Sequence, residues 1–202
     1  IRDSKGNIWF GSSEYIITYD GKKYRNLTIE KKLSQHLVLD IFEDSSGNIW
    51  VGTQQGGAKI YDGKNFKQLT AKDGLVHDTV NAIKEDKQGN ILLATESGLS
   101  IYNGNSFKNV TVKQGLPSRY IMNILLDSQD NIWLGTYGGG VVKYTPAAGD
   151  GAGKIDTISA EDGLSNNVVL SMIFDDYGNL LIGTNRGINK LDAVEYERTP
   201  GI

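Results

Sequence analysis

One ten-residue phrase recurs along the whole chain and constrains its fold more than any other feature. The phrase is clearest at Asp44–Thr53, which reads DSSGNIWVGT, and it returns four more times with small changes. Successive copies are about 41, 42, 41 and 48 residues apart when they are aligned on one asparagine, which falls at Asn7, Asn48, Asn90, Asn131 and Asn179. Repeats of this length are typical of proteins that place one small structural unit after another. The chain therefore contains five copies of one unit.

Each unit predicts four short strands, named A to D in chain order, because its apolar residues alternate with polar ones between Gly, Asn, Asp or Ser. In the second unit the strands are A, Val38–Glu43; B, Asn48–Thr53; C, Ala58–Asp62; and D, Asn65–Thr70. No segment has the roughly 3.6-residue period of a helix. Four-stranded antiparallel units at this spacing are the blades of a β-propeller, which is an all-β fold.

The repeat predicts a single domain over residues 1–202, with units at approximately 1–33, 34–75, 76–116, 117–164 and 165–202. The first unit keeps only Ile1–Asp3 of strand A, and the last strand, Val194–Arg198, is short. We therefore expect about five blades from a larger propeller, the alternative being a complete five-bladed ring with one defective blade. The Gly- and Ala-rich segment Thr145–Gly153 is expected to lengthen the turn between strands C and D of the fourth unit.

The residues of the phrase are explained by the turn between strands A and B and by packing. The turn needs one residue at positive φ, supplied by Gly6, Gly47, Gly89, Asp130 and Gly178. An acidic residue before this position is expected to accept backbone N–H groups of the turn. The alternative role for these residues is calcium binding. They are Asp3, Asp44, Asp86, Asp127 and Asp176. One position of strand B, which is Trp in some units and Leu in others, is expected to fill space between blades. The alternative role is to stack on a sugar. This position is Trp9, Trp50, Leu92, Trp133 and Leu181 in the five units.

Composition excludes several classes of function. The net charge is -3 and the pI is near 5.4, which disfavours nucleic-acid binding. No run approaches the roughly 18 apolar residues of a membrane span, so no membrane contact is expected of this segment. The chain has no cysteine, and its two histidines, His36 and His77, lack the spacing of a metal pair. We expect no metal, no cofactor and no catalytic residue.

The candidate binding residues lie where the units differ. In a propeller, the D–A links, which join one blade to the next, and the B–C turns emerge on one face, so their side chains converge. The links supply His36, His77, Asp78, Arg119, Tyr120, Asn166 and Asn167. The B–C turns supply Glu14, Tyr15, Gln54, Gln55, Glu96, Tyr137, Asn185 and Arg186. Hydrogen-bonding groups mixed with tyrosines suit a neutral polyhydroxylated ligand, whereas ordinary solvated loops are the alternative for any single residue.

The units resemble a known repeat. Links such as Asp73-Gly74-Leu75, Gln114-Gly115-Leu116 and Asp162-Gly163-Leu164, followed by an apolar strand and Gly-Asn-Ile-Trp-x-Gly-Thr, resemble the two-component regulator propeller repeat. Single copies depart from it at Leu92, Ala94, Asp130 and Leu181. The resemblance implies the periplasmic sensor region of a Bacteroides-type hybrid two-component system, in which seven-bladed propellers precede a membrane helix, a histidine kinase and a response regulator. It also implies oligosaccharide sensing coupled to polysaccharide-utilisation genes, without naming ligand residues.

A non-catalytic, ligand-sensing propeller segment is therefore the function we expect. One alternative is a sialidase-like glycan enzyme, because the Asp-x-x-Gly turn is similar to the Asp-box of sialidase propellers. Sialidases use three arginines, whereas only Arg119 and Arg186 lie in the face-forming loops here. Another alternative is a protein-interaction scaffold. The expected partners are an oligosaccharide and, through open blade edges, a second copy or another protein.

Overall fold

The computed structural model describes residues 1–31, 35–147 and 151–192, apart from the side chain of Ile29. The chain divides into two compact units, Ile1–Asn109 and Val110–Ile202, which are taken here in turn. In these described ranges, five antiparallel sheets follow one another along the sequence, each with its strands in sequential order. The all-β prediction is thus confirmed, whereas the single domain over 1–202 stays a prediction.

The first unit contains three sheets. The first sheet is formed by β1 (Ile8–Gly11), β2 (Ile16–Tyr19) and β3 (Tyr24–Asn26). The second is formed by β4 (Val38–Glu43), β5 (Ile49–Thr53), β6 (Ala58–Tyr61) and β7 (Phe66–Leu69). The third is formed by β8 (Val80–Glu85), β9 (Ile91–Thr95), β10 (Gly98–Tyr102) and β11 (Phe107–Val110). The predicted remnant of strand A in the first sheet is a single bridge between Arg2 and Ile8.

The second unit contains two sheets. The fourth sheet of the chain is formed by β12 (Ile121–Leu126), β13 (Ile132–Thr136), β14 (Val141–Thr145) and β15 (Lys154–Ile158). The fifth is formed by β16 (Val169–Phe174), β17 (Leu180–Thr184) and β18 (Gly187–Leu191). The insertion therefore lies between the third and fourth strands of the fourth sheet, as predicted. The predicted strand Val194–Arg198 lies outside the described residues.

The prediction that no segment is helical was wrong for four short stretches. A four-residue helix, α1 (Leu27–Glu30), follows the third strand of the first repeat. The links contain single 3₁₀ turns at Ala71–Asp73, Val112–Gln114 and Ala160–Asp162. Each is held by its last residue, whose side chain accepts the N–H of the residue before the turn. Segments this short carry no periodic signal that a sequence could reveal.

The A–B turn is built around one aspartate in each repeat. In the second repeat the Asp44 carboxylate accepts the backbone N–H groups of Ser46 and Asn48 at 3.0 and 2.8 Å. It also accepts the side-chain donors of Asn48 and Trp50 at 2.9 and 2.8 Å. The predicted positive φ occurs in every copy, at +88°, +80°, +81°, +68° and +82° for Gly6, Gly47, Gly89, Asp130 and Gly178. The turn prediction is confirmed.

In the fifth repeat the structure corrects the identity of the turn aspartate. Asp175, rather than the predicted Asp176, accepts the backbone and side-chain N–H groups of Asn179, both at 2.8 Å. The carboxylate must lie four residues before the asparagine to reach both donors, and Asp176 is one residue too close.

The variable position of strand B packs between neighbouring sheets, as predicted. Trp9 faces Tyr61 of the second sheet at 5.7 Å between ring centroids, and Trp50 faces Tyr102 of the third sheet at 6.0 Å. In the second unit Trp133 meets Phe174 edge-on at 6.2 Å. The three indoles are at most 5% exposed, which places them in the layers of apolar side chains between sheets.

Close approach between sheets explains the glycine of the phrase. A Cβ on Gly52 would lie 2.7 Å from the carbonyl oxygen of Val80 in the next sheet. A Cβ on Gly135 would lie 2.9 Å from Cγ1 of Val169. Neither glycine has positive φ, so space rather than backbone conformation requires it.

Serine–glutamate pairs join neighbouring sheets in the first unit. The backbone N–H and hydroxyl of Ser4 donate to the two carboxylate oxygens of Glu43, both at 2.6 Å. Ser45 repeats the arrangement with Glu85 at 2.6 and 2.7 Å. In each pair the A–B turn of one sheet is therefore fastened to the end of strand A in the next.

Candidate binding surface

In the first unit, the B–C turn of the second sheet lies between two links. Gln54 donates its backbone N–H to the Leu37 carbonyl at 2.8 Å, and Gln55 donates to Thr79 Oγ1 at 3.2 Å. Gly57 donates to the Asp78 carbonyl at 2.7 Å. The structure therefore brings the predicted turn residues Gln54 and Gln55, both exposed, beside links that carry other predicted residues.

The second unit repeats this arrangement over four segments. The B–C turn of the fourth sheet begins at Tyr137, whose N–H donates to the Tyr120 carbonyl at 2.9 Å. On its other side Tyr137 pairs with Val168 in an antiparallel bridge. Val168 in turn accepts the N–H of Asn185, from the next B–C turn, at 3.3 Å. Link, turn, link and turn thus lie side by side.

Several predicted link side chains are occupied by bonds to their own backbone. His77 Nδ1 accepts the N–H of Thr79 at 3.0 Å, and Asn166 Oδ1 accepts the N–H of Val168 at 2.8 Å. These two residues shape the start of strand A in their repeats.

Asp78 and Asn167, which occupy the same position in their repeats, share another structural role. Asp78 Oδ1 accepts the N–H of Ala71 at 2.7 Å, and Asn167 Oδ1 accepts the N–H of Ala160 at 2.6 Å. Each bond satisfies the first donor of a 3₁₀ turn seven residues earlier. The sequence analysis missed this role, although the constant seven-residue spacing could have revealed it.

His36 is half-buried against the B–C turn. A Cβ on Gly56 would lie 2.5 Å from its imidazole Cδ2 atom, so the ring rests on the glycine. Burial, and then the positive charge of Lys59, lower the pKa of His36. Burial also lowers the pKa of Lys59, which is 3% exposed. At neutral pH the imidazole is therefore neutral.

Two more predicted residues of the first unit lie in short turns. Tyr15 is half-buried, and its hydrogen bond to Glu14, together with the charge of that residue, raises the pKa of the phenol. Glu96 is half-buried in the turn between Thr95 and Gly98, which the Thr95 hydroxyl closes through a 2.7 Å bond to the Gly98 carbonyl.

An exposed aromatic and basic part of the surface lies in the second unit. The rings of Tyr120 and Tyr137 are 5.8 Å apart with planes at 51°, and Tyr137 is 58% exposed. Arg119, Asn185 and Arg186 are exposed beside them. We call these five residues the tyrosine–arginine strip. Within the described part of the chain, neither of its arginines forms an ion pair.

A groove that the sequence analysis did not predict lies at the opposite end of the same two sheets. It has a volume of about 450 Å³ and is lined mainly by Trp133, Lys143, Phe174, Tyr177 and Leu191. Three departures from the repeat lie on it: Leu126 and Phe174 stand where Glu43 and Glu85 stand, and Leu191 stands where Tyr61 and Tyr102 stand. These differences between the repeats are the sequence signal that could have indicated the groove.

No group of His, Cys, Asp or Glu among the described residues could hold a metal ion. The oxygens of Asp44 and its counterparts accept hydrogen bonds from their own turn, so those carboxylates serve the backbone. Among the helices of the described residues, none is long and apolar enough to span a membrane.

Comparison with known proteins supports the fold and the repeat. The two-component regulator propeller family matches residues 32–55, 115–138 and 163–186. No curated protein sequence matches the chain. The structure is similar to the extracellular domain of a hybrid two-component system from B. thetaiotaomicron, at 23% identity and a TM-score of 0.80 over 99% of this chain. It is also similar to the extracellular domain of a one-component system from the same organism, at 21% identity and a TM-score of 0.78 over 95% of this chain.

An enzyme shares the architecture. Virginiamycin B lyase from Staphylococcus aureus is similar at 14% identity and a TM-score of 0.71, with 95% of this chain and 68% of the lyase covered. Likeness at this level establishes the propeller fold alone. The chain spans 29% of the length of each of the two B. thetaiotaomicron domains. Within that fold, residues 32–55, 115–138 and 163–186 match the repeat of the two-component regulator propeller family.

Proposed function

We propose that this chain is a non-catalytic ligand-sensing segment that binds an oligosaccharide on the tyrosine–arginine strip. The observation that carries the proposal is the exposed ring of Tyr137 beside the half-buried ring of Tyr120, on a backbone fixed by hydrogen bonds. The apolar face of a sugar ring can pack on an aromatic ring, while exposed amide and guanidinium groups bond its hydroxyls. A rigid backbone lowers the ordering cost of binding.

The family repeat supports the placement of the proposed site. The matched segments 115–138 and 163–186 run from a link to the following B–C turn. They contain all five residues of the strip, together with Asn166 and Asn167. Ligand bound across two links and two turns touches both sheets of the unit, so it can favour one spacing of the blades over another. Such a shift is the signal that a sensor needs.

The proposed setting follows the same family. Similar domains are extracellular parts of one- and two-component systems. We place this segment in the periplasm, in a parent protein with a histidine kinase and a response regulator that acts on polysaccharide-utilisation genes. Contacts with a second copy, or with further blades, would use the first and last sheets, which expose Phe10, Tyr24, Ile173 and Ile188. No nucleic acid is involved in this proposal.

The sialidase-like alternative is less well supported. The Asp turns that resemble an Asp-box lie at the A–B end of each sheet, whereas the B–C turns lie at the other end of strand B. A five-residue strand separates the two ends by about 17 Å, so Asp127 and Asp175 cannot reach a ligand on the strip. If the segment were a protein-interaction scaffold, Tyr120 and Tyr137 would have no affinity for sugars.

Calorimetric titration of the 202-residue chain with a panel of plant and host oligosaccharides tests the proposal. We expect at least one ligand to bind without release of sugar, and Tyr137→Ala to weaken it about tenfold or more, equivalent to ~1.4 kcal/mol. Tyr177→Ala is the matched control, because Tyr177 is 89% exposed but lies in the A–B turn. Released sugar would favour the enzyme, and a panel without any binding would favour the scaffold.

A further inference from the structure

The last residues of the links and the B–C turns carry different charges in the two units, on the same backbone arrangement. In the first unit they supply Glu14, Asp78 and Glu96, and the segments 35–37, 54–57, 77–79 and 96–98 contain no Lys or Arg. The 3₁₀ turns earlier in the links carry charges of both signs in each unit. In the second unit the segments 118–120, 137–140, 166–168 and 185–187 contain Arg119 and Arg186 and no Asp or Glu. Because the repeat provides the backbone in both cases, this difference is confined to side chains.

The two arginines flank the tyrosines. Arg119 precedes Tyr120 in the first segment of the strip, and Arg186 follows Asn185 in the last. Neighbouring hydrogen-bonded segments are about 4.8 Å apart, so three such spacings separate the arginine backbones by about 14 Å. Both guanidinium groups are exposed and neither pairs with a carboxylate among the described residues.

We propose that the tyrosine–arginine strip selects an oligosaccharide that carries carboxylates, as uronic acid sugars do. This inference rests on the proposed function and narrows its ligand class. A guanidinium donates two parallel hydrogen bonds to a carboxylate, which a hydroxyl cannot match. Tyr137 packs against a sugar ring while Arg119 and Arg186 hold acidic groups on either side of it. The chain's net charge of -3 gives no general attraction for anions, so the selectivity is local.

The repeat supplies substitutions suited to the fold. Arg119 occupies the place of Asn167 in the fifth repeat, and Arg186 occupies the place of Ser97 in the third. Arg119→Asn and Arg186→Ser therefore introduce residues that the same backbone already accepts. Lys190→Gln removes one positive charge, as each single arginine substitution does, at an exposed position of the fifth sheet near Asp175 in the A–B turn. It is the matched control.

The experiment compares an α-1,4-linked trisaccharide of galacturonic acid with the neutral α-1,4-linked galactotriose by calorimetry. We expect the acidic sugar to bind at least about tenfold more tightly at low salt, and the ratio to fall toward one as salt screens the charges. Arg119→Asn with Arg186→Ser should bring the ratio to about one at low salt, whereas Lys190→Gln should leave it unchanged.

Each contrary result has a separate meaning. Equal affinities for the two sugars, or an acidic preference that survives the double substitution, would overturn the charge inference. In either case, if the neutral sugar still bound and its affinity depended on Tyr137, the proposed function would stand without the preference for acidic sugars. If neither sugar bound, and the wider panel gave no ligand, both proposals would fail together.

Discussion

The indole N–H of Trp50 donates a 2.8 Å hydrogen bond to Oδ2 of Asp44, six residues earlier in the chain. Trp9 and Asp3 form the same bond at 2.8 Å, and Trp133 and Asp127 at 3.0 Å. A single carboxylate thus shapes the A–B turn and satisfies the only polar atom of the ring that packs between sheets. Local turn and interblade packing are one structure, and the first prediction separates their contributions.

Asp44→Ala should cost more stability than Asp86→Ala. Asp44 accepts four hydrogen bonds, whereas Asp86 accepts three because Leu92 stands where the tryptophan would be. Without Asp44 the buried indole N–H loses its partner, which costs about 1–3 kcal/mol. Urea unfolding of both variants measures the difference. Equal losses would show that the indole bond adds nothing beyond the turn.

Gly52→Ala should destabilise the protein by about 1–3 kcal/mol, the usual cost of overpacking. Its new methyl group would meet the Val80 carbonyl of the next sheet, which cannot turn aside. Gly183→Ala is the control, because there the first contact is the Ser171 hydroxyl, which can rotate. Thermal unfolding should show a clear drop for the first variant and little change for the second; similar drops in both would contradict the spacing argument.

Asp40 and Asp175 should give stability opposite dependences on pH. Burial raises the pKa of Asp40 above its ordinary 3.8, despite the hydrogen bond from the Ile83 N–H. The stability that Asp40 contributes is therefore present below that ordinary value and is lost as pH rises through the raised pKa. The advantage of the wild type over Asp40→Asn should accordingly shrink between pH 3.5 and 7.

For Asp175 the dependence of stability on pH has the opposite sign. The side-chain hydrogen bond from Asn179 lowers the pKa of Asp175, so its contribution is present above 3.8 and is lost as pH falls through the lowered pKa. The advantage of the wild type over Asp175→Asn should stay level from pH 7 down to about pH 5 and should shrink as pH falls below 3.8 toward the lowered pKa. Unfolding curves at several pH values test both variants, and parallel trends would refute the assignment.

Arg119→Asn should stabilise the second unit. Asn167 caps the 3₁₀ turn that begins at Ala160, but an arginine at the equivalent position has no acceptor atom for the N–H of Val112. An added cap is worth about 0.5–1 kcal/mol. Asn167→Ala, which removes the existing cap, should lower the melting temperature. If Arg119→Asn also lowered it, the arginine would have a structural role beyond the strip.

The strands were predictable because alternation and glycine-bounded turns are local properties. Turn conformation followed as well, including positive φ at Asp130, since few residues tolerate it. Side-chain bonds to the backbone were harder to predict. His77 and Asn167 look like ligand residues in sequence, yet their polar atoms bind backbone N–H groups. The seven-residue spacing that Asn167 shares with Asp78 could have indicated its role, whereas only the coordinates show the bond of His77.

The serine–glutamate pairs bear on how such arrays change by duplication and recombination. Ser45 and Glu85 belong to consecutive repeats and lie 40 residues apart. If recombination exchanges a whole repeat, from the start of strand A to the end of strand D, it separates the serine from its glutamate. A segment that begins just before the serine and ends just after the glutamate contains both residues. The segment that keeps the serine–glutamate pair together therefore begins at an A–B turn and not at a link between sheets. Chimaeras joined at the A–B turn should assemble better than those joined at the links.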